Sequence, residues 1–314
     1  MNSTSFRNEH RVACKLMGSA FELIVVHPET LRAKALLQMG IDEIQRIEDL
    51  LSEFKTDSVT SAINQQAGSG PVVVNSEVFA LLERCQRLSK LTQGAFDITV
   101  GPLKKMYRFR NNEMQFPEQQ LIDQTLQRVG YHQLELNTTQ QSAFLTRPQM
   151  HLSFAAIGKG YAADRVKQLW LDQGLESGVI NASGDLTAFG KGQNGKGWTL
   201  GIRHPDDKDQ TLFDIPVDHA SIATSGDYEQ FFIHQHIRYG HNINPKTGWP
   251  VQGLKSVSVL SPSAELSDAL ATAVYVMGID TGLHLINQLP NTHVILIDAQ
   301  NATHFSKNIQ AAYA

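Results

Sequence analysis

The chain of 314 residues carries 27 Lys and Arg against 31 Asp and Glu, which gives a formal net charge of −4. This length allows one large domain or two small ones, and the ordinary apolar and charged fractions are typical of a globular protein rather than a disordered or fibrous chain. The slight negative charge excludes a global attraction to nucleic acid or anionic membranes. The two cysteines, Cys14 and Cys85, lack metal-ligand spacing, which indicates reduced thiols.

Neither a leader peptide nor a membrane anchor is indicated. Residues 1–16 contain no apolar run, and no stretch approaches the roughly 20 apolar residues of a membrane helix. We therefore expect a cytoplasmic protein with no membrane anchor and no nucleic-acid partner.

The first third of the chain predicts a strand pair followed by helices. Residues 11–17 and 19–26 are rich in strand formers and predict the pair. Apolar side chains at three- and four-residue steps predict a long helix over residues 28–54. A second helix is predicted over residues 76–92, with Ser76 as its cap.

The next segments combine a buried turn with polar surface. Residues 95–102, AFDITVGP, have apolar flanks and predict a buried turn that carries one acid, Asp97. The basic residues 104–112 predict a solvated surface loop. Residues 131–137 and 142–146 predict a β-hairpin.

The remaining elements mix strands and helices. An apolar strand from residue 152 is predicted to turn through Gly158-Lys159-Gly160 into a helix over residues 161–173. One strand, interrupted at residues 183–185, is expected over residues 178–190, and further strands are expected at residues 198–203, 231–237, 256–260, 294–297 and 303–305. Because no regular βα alternation occurs, we predict a mixed α+β fold with largely antiparallel sheets and packed helices, as a single domain over residues 1–314.

Residues 267–278, SDALATAVYVMG, predict a helix that can hold a metal ion. Ser267 or Asp268 can cap it, and Asp268 and Thr272 share one face because they are four residues apart. A carboxylate beside a hydroxyl offers the hard oxygen ligands that suit Mg²⁺. The alternative is that Asp268 is only an N-cap.

Four loops rich in glycine and polar residues lie beside apolar strands, at residues 155–164, 181–185, 224–228 and 241–248. Lys159, in the first loop, precedes a helix N-terminus, where anions bind well. His241, in the fourth, can act as a general base. The alternatives are a tight turn for the first loop, Asx turns for the second and third, and a surface histidine for the fourth.

Together these loops predict metal-assisted attack on a pyrophosphate, with Mg²⁺ on the helix and Lys159 at the leaving phosphate. No zinc-type His and Cys cluster, G-x-S-x-G elbow or kinase signature occurs in the sequence.

With these motifs in order, the chain resembles the ApbE family of FAD:protein FMN transferases. The resemblance rests on stretches spread from Met17 to Gly278, which are Met17-Gly18-Ser19, residues 58–64, GAFDITVGP at 94–102, GKGY at 158–161 with Asp164, NASGD at 181–185, TSGDY at 224–228 with Glu229, HNINPKTG at 241–248 and Asp268 to Thr272. It implies a magnesium-dependent transferase that joins the FMN part of FAD to a threonine of an acceptor flavoprotein and releases AMP. It also implies a one-domain α+β fold with the flavin site between two lobes.

The resemblance implies roles for particular residues. His241 would be the base that deprotonates the acceptor threonine. Metal ligands would be the side chains of Asp268 and Thr272 and the backbone oxygens of Ala156 and Ala271. The FAD contacts would come from Met17, Phe54, Ala95, Phe96, Asp97, Ser153, Lys159 and Asn242.

Two positions depart from the family pattern. Phe54 stands where the family commonly has tyrosine, and Ser153 stands where it commonly has aspartate. The first change keeps a stacking face, and the second removes a strong acceptor. They motivate one alternative, a non-catalytic FAD-binding protein. The resemblance implies a second alternative, an FAD pyrophosphatase that yields FMN and AMP, because some members of the family mainly hydrolyse FAD.

Overall fold

The computed structural model describes residues 8–107, 116–207, 210–217, 219–226, 231–234, 237–240, 242–307 and 309. The helices in these ranges are α1 (Thr30–Leu51), α2 (Val59–Gln65), α3 (Ser76–Leu91), α4 (Gly101–Met106), α5 (Gln119–Leu126), α6 (Gly158–Asp172), α7 (Ala264–Met277) and α8 (Ile279–Ile286). Among these described helices, none has the length and apolar character needed to cross a bilayer.

The strands alternate irregularly with the helices. They are β1 (Asn8–Leu16), β2 (Ser19–His27), β3 (Val72–Val73), β4 (Leu134–Asn137), β5 (Ser142–Leu145), β6 (Gly178–Ala182), β7 (Asp185–Phe189), β8 (Trp198–Arg203), β9 (Thr211–Val217), β10 (Ala220–Gly226), β11 (Phe231–His234), β12 (Ile237–Gly240), β13 (Leu254–Ser261), β14 (His293–Asp298) and β15 (Thr303–Phe305).

One eight-stranded sheet organises the molecule, in the order β1-β2-β6-β7-β10-β13-β14-β15. Each neighbouring pair in it is antiparallel. Smaller antiparallel sheets are formed by β3-β5-β4, β8-β9 and β11-β12. The predicted α+β fold with largely antiparallel sheets is therefore confirmed.

Helices α1, α6 and α7 cover one another and the sheet. Trp170 of α6 is fully buried, and its indole N–H donates to the carbonyl of Leu36 in α1 at 2.8 Å. A Cβ atom at Gly40 of α1 would lie 3.0 to 3.2 Å from side chains of Leu23, Trp170 and Val166. Glycine at this position thus lets α1 pack closely against α6 and β2.

The β1–β2 connection is a two-residue turn with an unusual backbone. Leu16 pairs with Ser19, and both turn residues have positive φ, +49° at Met17 and +71° at Gly18. Positive φ at both central positions belongs to type I′ hairpins, where glycine or asparagine is usual. The Met17 side chain reaches the start of α6, because a Cβ at Gly158 would lie 3.4 Å from its Cε.

Two predicted helix caps were wrong. Helix α7 begins at Ala264 and is capped by Ser263, whose Oγ accepts from Leu266 N at 3.2 Å, so neither Ser267 nor Asp268 caps it. Helix α3 is capped by Asn75 rather than by Ser76. The predicted caps failed because any small polar residue near a helix start suits the pattern.

Other predicted segments also changed. The strand at residues 178–190 is the hairpin of β6 and β7, and that at residues 231–237 is the hairpin of β11 and β12. Residues 152–154 are irregular and residues 155–157 form a turn, so no strand lies there, and α6 begins at Gly158, so the glycines belong to its first turn. Residues 104–106 lie in α4, where Lys104 is half-buried, while residues 108–112 fall outside the described ranges.

Candidate active site

A pocket of about 470 Å³ opens between the β1–β2 turn, the end of α1 and the start of α6. Four of the predicted site residues line it: Met17, Phe54, Ser153 and Lys159. Phe54 exposes 88% of its surface, so its ring is free to stack on a planar ligand. The structure thus brings together residues that are more than 140 positions apart in sequence.

The first turn of α6 carries an ion pair at the edge of this pocket. Lys159 Nζ donates to Asp185 Oδ2 at 2.5 Å, and Asp185 Oδ1 accepts from Thr224 N at 3.1 Å. Asp185 is buried at the start of β7. The carboxylate therefore fixes both the lysine and the strand β10.

The same turn of α6 contacts α7 through its backbone. Gly160 N donates to Asp268 Oδ2 at 3.1 Å. One turn further along α7, Thr272 Oγ1 lies 3.2 Å from Ser225 Oγ of β10. As predicted, the carboxylate and the hydroxyl share one face of the helix.

The electrostatics of Asp268 suit a cation. This side chain is only 6% exposed. Burial and, to a smaller extent, the nearby Asp185 carboxylate raise its pKa to about 7, against the opposing effects of Lys159 and the Gly160 N–H. A divalent cation would compensate the two buried carboxylates, so the residues present fit a metal.

The two predicted carbonyl ligands differ in whether the backbone oxygen already accepts a hydrogen bond. Ala156 precedes α6, and no N–H among the described residues donates to its oxygen, because Gly160 N turns to Asp268 instead. Ala271 lies inside α7, where its carbonyl faces the N–H of Tyr275 in the helical ladder. No cluster of three or more His, Cys, Asp or Glu within the described ranges could hold a metal, so such an ion would depend on hydroxyl and backbone oxygens.

Two acids that were not predicted, Glu48 and Glu53, line the pocket. Glu53 Oε1 accepts from Ser153 Oγ at 2.6 Å, and Glu53 Oε2 pairs with His151 Nε2 at 2.7 Å. Burial raises the pKa of Glu53, but these two hydrogen bonds outweigh it, so the pKa lies below its usual range. Lys104 interacts electrostatically with both Glu53 and Asp268. Burial lowers the pKa of Lys104, and the two carboxylates oppose this shift only in part.

The other predicted contacts lie apart from this pocket. Ala95 and Phe96 are buried, and the Asp97 carboxylate accepts from Thr99 N at 2.8 Å, Thr99 Oγ1 at 2.7 Å and Tyr131 N at 2.7 Å. These bonds hold the loop itself, and burial raises the pKa of Asp97.

Asn242 is buried, and its backbone oxygen accepts from Val251 N at 2.9 Å. Its neighbour in sequence, the predicted base His241, lies outside the described residues. The roles of Asn242 and His241 stay predictions.

Asp185 is the clearest residue that the sequence misjudged. The Asx-turn alternative holds for Asn181, whose Oδ1 accepts from Gly184 N at 2.9 Å. Asp185 instead serves Lys159 and Thr224, which are remote in sequence. An acid directly after a Ser-Gly turn was a signal, but only tertiary structure shows its partners.

Comparison with known proteins gives one consistent result. A sequence profile described as the ApbE family matches residues 17–296. FAD:protein FMN transferases from Treponema pallidum and Vibrio cholerae are 32% and 30% identical, over 84% and 90% of this chain and 77% and 86% of their own lengths.

Solved structures agree in fold. The ApbE protein from Thermotoga maritima superposes with a TM-score of 0.90 at 25% identity, covering 98% of this chain and all of the other. The flavin transferase ApbE from Vibrio cholerae has a TM-score of 0.86 at 24% identity, over 98% of this chain and all of its own. On the family profile and these relatives, the chain belongs to the ApbE family.

Proposed function

We propose that this chain is an FAD:protein FMN transferase that joins FMN to a threonine hydroxyl of an acceptor flavoprotein and releases AMP. The observation that carries the proposal is the packing of α6 on α7, which holds Asp268 against Gly160 N, the residue after Lys159. Lys159 lines the pocket and pairs with Asp185. Family membership and the activity named for the curated relatives support it.

The reaction is an exchange of bonds at one phosphorus atom. The acceptor oxygen forms a bond to the FMN phosphorus of FAD, and the bond from that phosphorus to the bridging oxygen breaks. AMP leaves with the bridging oxygen, and the hydroxyl proton passes to a base, for which we propose His241. The exposed ring of Phe54 offers a stacking face for a planar part of FAD.

Lys159 and the start of α6 provide positive charge for the phosphates. The ammonium of Lys159 lies at a helix N-terminus, where the partial positive charge of the first turn also favours anions. Its ion pair with Asp185 fixes its direction before substrate arrives, which reduces the reorganisation needed for reaction. Lys159 thereby stabilises negative charge on the departing phosphate.

The metal site would be formed by Asp268, Thr272 and the oxygens of Ala156 and Ala271. When bound, Mg²⁺ would neutralise charge on the pyrophosphate oxygens. The buried, mostly unpartnered carboxylate of Asp268 supports this assignment, because within the described chain its only hydrogen bond comes from Gly160 N.

A product balance tests the proposal. The purified protein is incubated with FAD and Mg²⁺, with and without an acceptor flavoprotein, and AMP, free FMN and protein-bound flavin are quantified. AMP matched by protein-bound FMN is the expected result, and an acceptor whose threonine is replaced by valine should stay unlabelled. AMP matched by free FMN regardless of acceptor would show a pyrophosphatase, and bound FAD without AMP would show a binding protein.

A further inference from the structure

We propose that Glu53 is a specificity residue, which accepts a hydrogen bond from a hydroxyl or N–H group of the nucleotide in the pocket. The inference rests on the proposed function, because it assigns one contact to the substrate FAD. It starts from the finding that the hydroxyl of Ser153, which carries no charge, donates a hydrogen bond to Glu53 Oε1 at 2.6 Å. Beside Ser153, a charged acceptor is thus supplied by Glu53, which lies in the segment after α1.

The wall that holds Glu53 is fixed on both sides. Asn64 of α2 binds the backbone of Leu152 twice, through Nδ2 to the carbonyl at 3.0 Å and through Oδ1 from the N–H at 2.7 Å. This pair of bonds holds the residues on either side of Leu152, which are His151 and Ser153, against Glu53. The Glu53 side chain is only 18% exposed, so it has little room to turn away.

The state of His151 follows from its neighbours. Lys105 Nζ lies 3.1 Å from His151 Nδ1, and an ammonium can only donate, so Nδ1 accepts. The proton of a neutral ring then resides on Nε2, which donates to Glu53 Oε2 at 2.7 Å. Asn64 Nδ2, already directed to Leu152, is more distant from Nε2 at 3.5 Å. Glu53 therefore accepts two hydrogen bonds and stays ionised.

Glu53 retains capacity for a ligand. A carboxylate offers about four acceptor positions, and within the described residues Ser153 and His151 occupy two of them. The carboxylate lines the pocket beside Phe54, and Lys159 lies on the same lining. A carboxylate repels phosphate and attracts O–H or N–H donors. Glu53 therefore selects a donor-bearing nucleoside part of FAD, while Lys159 selects the phosphates.

Exchanging the carboxylate between the two contacting positions gives the sharpest test. We compare wild type with Glu53→Gln, Ser153→Asp and the double variant, and measure the Kd for FAD by flavin fluorescence without Mg²⁺, together with Tm. Glu53→Gln should raise the Kd about 10- to 100-fold, since a hydrogen bond to a charged group is lost. Ser153→Asp alone places two carboxylates in contact and should lower Tm without tighter binding. The double variant should bind within about threefold of wild type.

A control variant and separate ligands complete the design. Asp57→Asn removes the same charge from an exposed site outside the pocket lining and should leave the Kd unchanged. Binding of FMN and AMP measured separately should show the effect of Glu53→Gln for one of them only, which identifies the contacted half.

Two results would overturn the inference: wild-type affinity for FAD in Glu53→Gln, whether or not its Tm falls, or no recovery of FAD affinity in the double variant. Absence of AMP release by the wild type would instead count against the transferase, while the Kd values would still decide the role of Glu53.

Discussion

Gly160 and Asp268 are joined across the α6–α7 interface by a 3.1 Å hydrogen bond from backbone N–H to carboxylate. The two helices can approach this closely only because Gly160 lacks a side chain: an added Cβ would lie 2.2 Å from the carbonyl oxygen of Ala264 and 2.9 Å from Asp268 Cβ. A single backbone contact therefore sets the position of the proposed metal ligand relative to Lys159.

We predict that Gly160→Ala damages both stability and activity. Alanine favours helices over glycine by up to about 1 kcal/mol, but the overlap with Ala264 should reverse the sign and cost about 1–3 kcal/mol of unfolding free energy. Urea denaturation and AMP release from FAD measure the two effects. Gly70→Ala is the matched control, because open space surrounds a Cβ there. A fully active and stable Gly160→Ala would show that the close packing is not required.

Asp268→Asn should separate function from stability. We expect activity with Mg²⁺ to fall on the order of 10²-fold or more, because a charged metal ligand is lost. The metal-free Tm should not fall, since the buried charge itself opposes folding. Mg²⁺ should raise the Tm of wild type but not of the variant, because a ligand stabilises only the state that binds it. Asp280→Asn, at an exposed position of α8, should keep the response to Mg²⁺.

The ion pair of Lys159 with Asp185 predicts a pattern in two variants. Lys159→Met leaves a buried carboxylate without its ammonium and should lower stability by about 1–3 kcal/mol, less than for a fully buried pair because Lys159 is partly exposed. Adding Asp185→Asn should recover much of the Tm, since the amide oxygen can still accept from Thr224 N. AMP release should be low in Lys159→Met and should stay low in the double variant, because both lack the ammonium. Recovery of AMP release in the double variant would remove Lys159 from the mechanism.

Local patterns in the sequence predicted the regular parts of the fold. They failed where a residue of one element forms hydrogen bonds with the end of another. The β1–β2 pair and α1 follow from residue type and periodicity, and the structure confirms both. The start of α7 could not be predicted in this way, because Asp164 of α6 accepts from two of its first N–H groups, those of Ala264 and Glu265, at 2.9 Å each. Capping by a remote carboxylate leaves no trace in the local pattern.

The candidate site shows the same division. The four-residue spacing of Asp268 and Thr272 was readable because it depends on helix geometry alone. Glu53 was missed, and Asp185 was named only as part of the loop at residues 181–185, since their importance comes from contacts with Ser153 and Lys159, which are distant in the chain. Glu53 adjoins Phe54, which was identified, so the sequence marked the right loop but not its charged member.

His241→Ala tests the proposed base. We expect AMP release coupled to protein flavinylation to fall about 10²–10⁴-fold, while FAD still binds, because a base acts on the proton of the acceptor and not on the dinucleotide. His284→Ala, at an exposed position of α8, is the control. A near-normal rate of transfer in His241→Ala would exclude it as the base.

Glu77 should make the protein sensitive to acid. Its carboxylate accepts two hydrogen bonds from Arg46, each 2.8 Å, and one from the Tyr161 hydroxyl, with Arg165 nearby. The Arg46 bonds outweigh burial and lower the pKa of Glu77 to about 2. A folded-state pKa below the ordinary 4.5 means that this stabilisation is complete above pH 4.5 and is lost as pH falls toward 2. Because Arg46 is partly exposed, we expect about 1 kcal/mol at most.

Thermal unfolding of wild type and Glu77→Gln between pH 7 and pH 2.5 measures this contribution. The Tm difference between them should be largest near pH 7 and should shrink on acidification, because protonated Glu77 resembles glutamine in charge. High salt at pH 7 should also reduce it, through screening of the exposed Arg46. A Tm difference that stays constant with pH would mean that glutamine disturbs the packing of α3 on α6 rather than the ion pair, and that the carboxylate charge of Glu77 contributes nothing to stability.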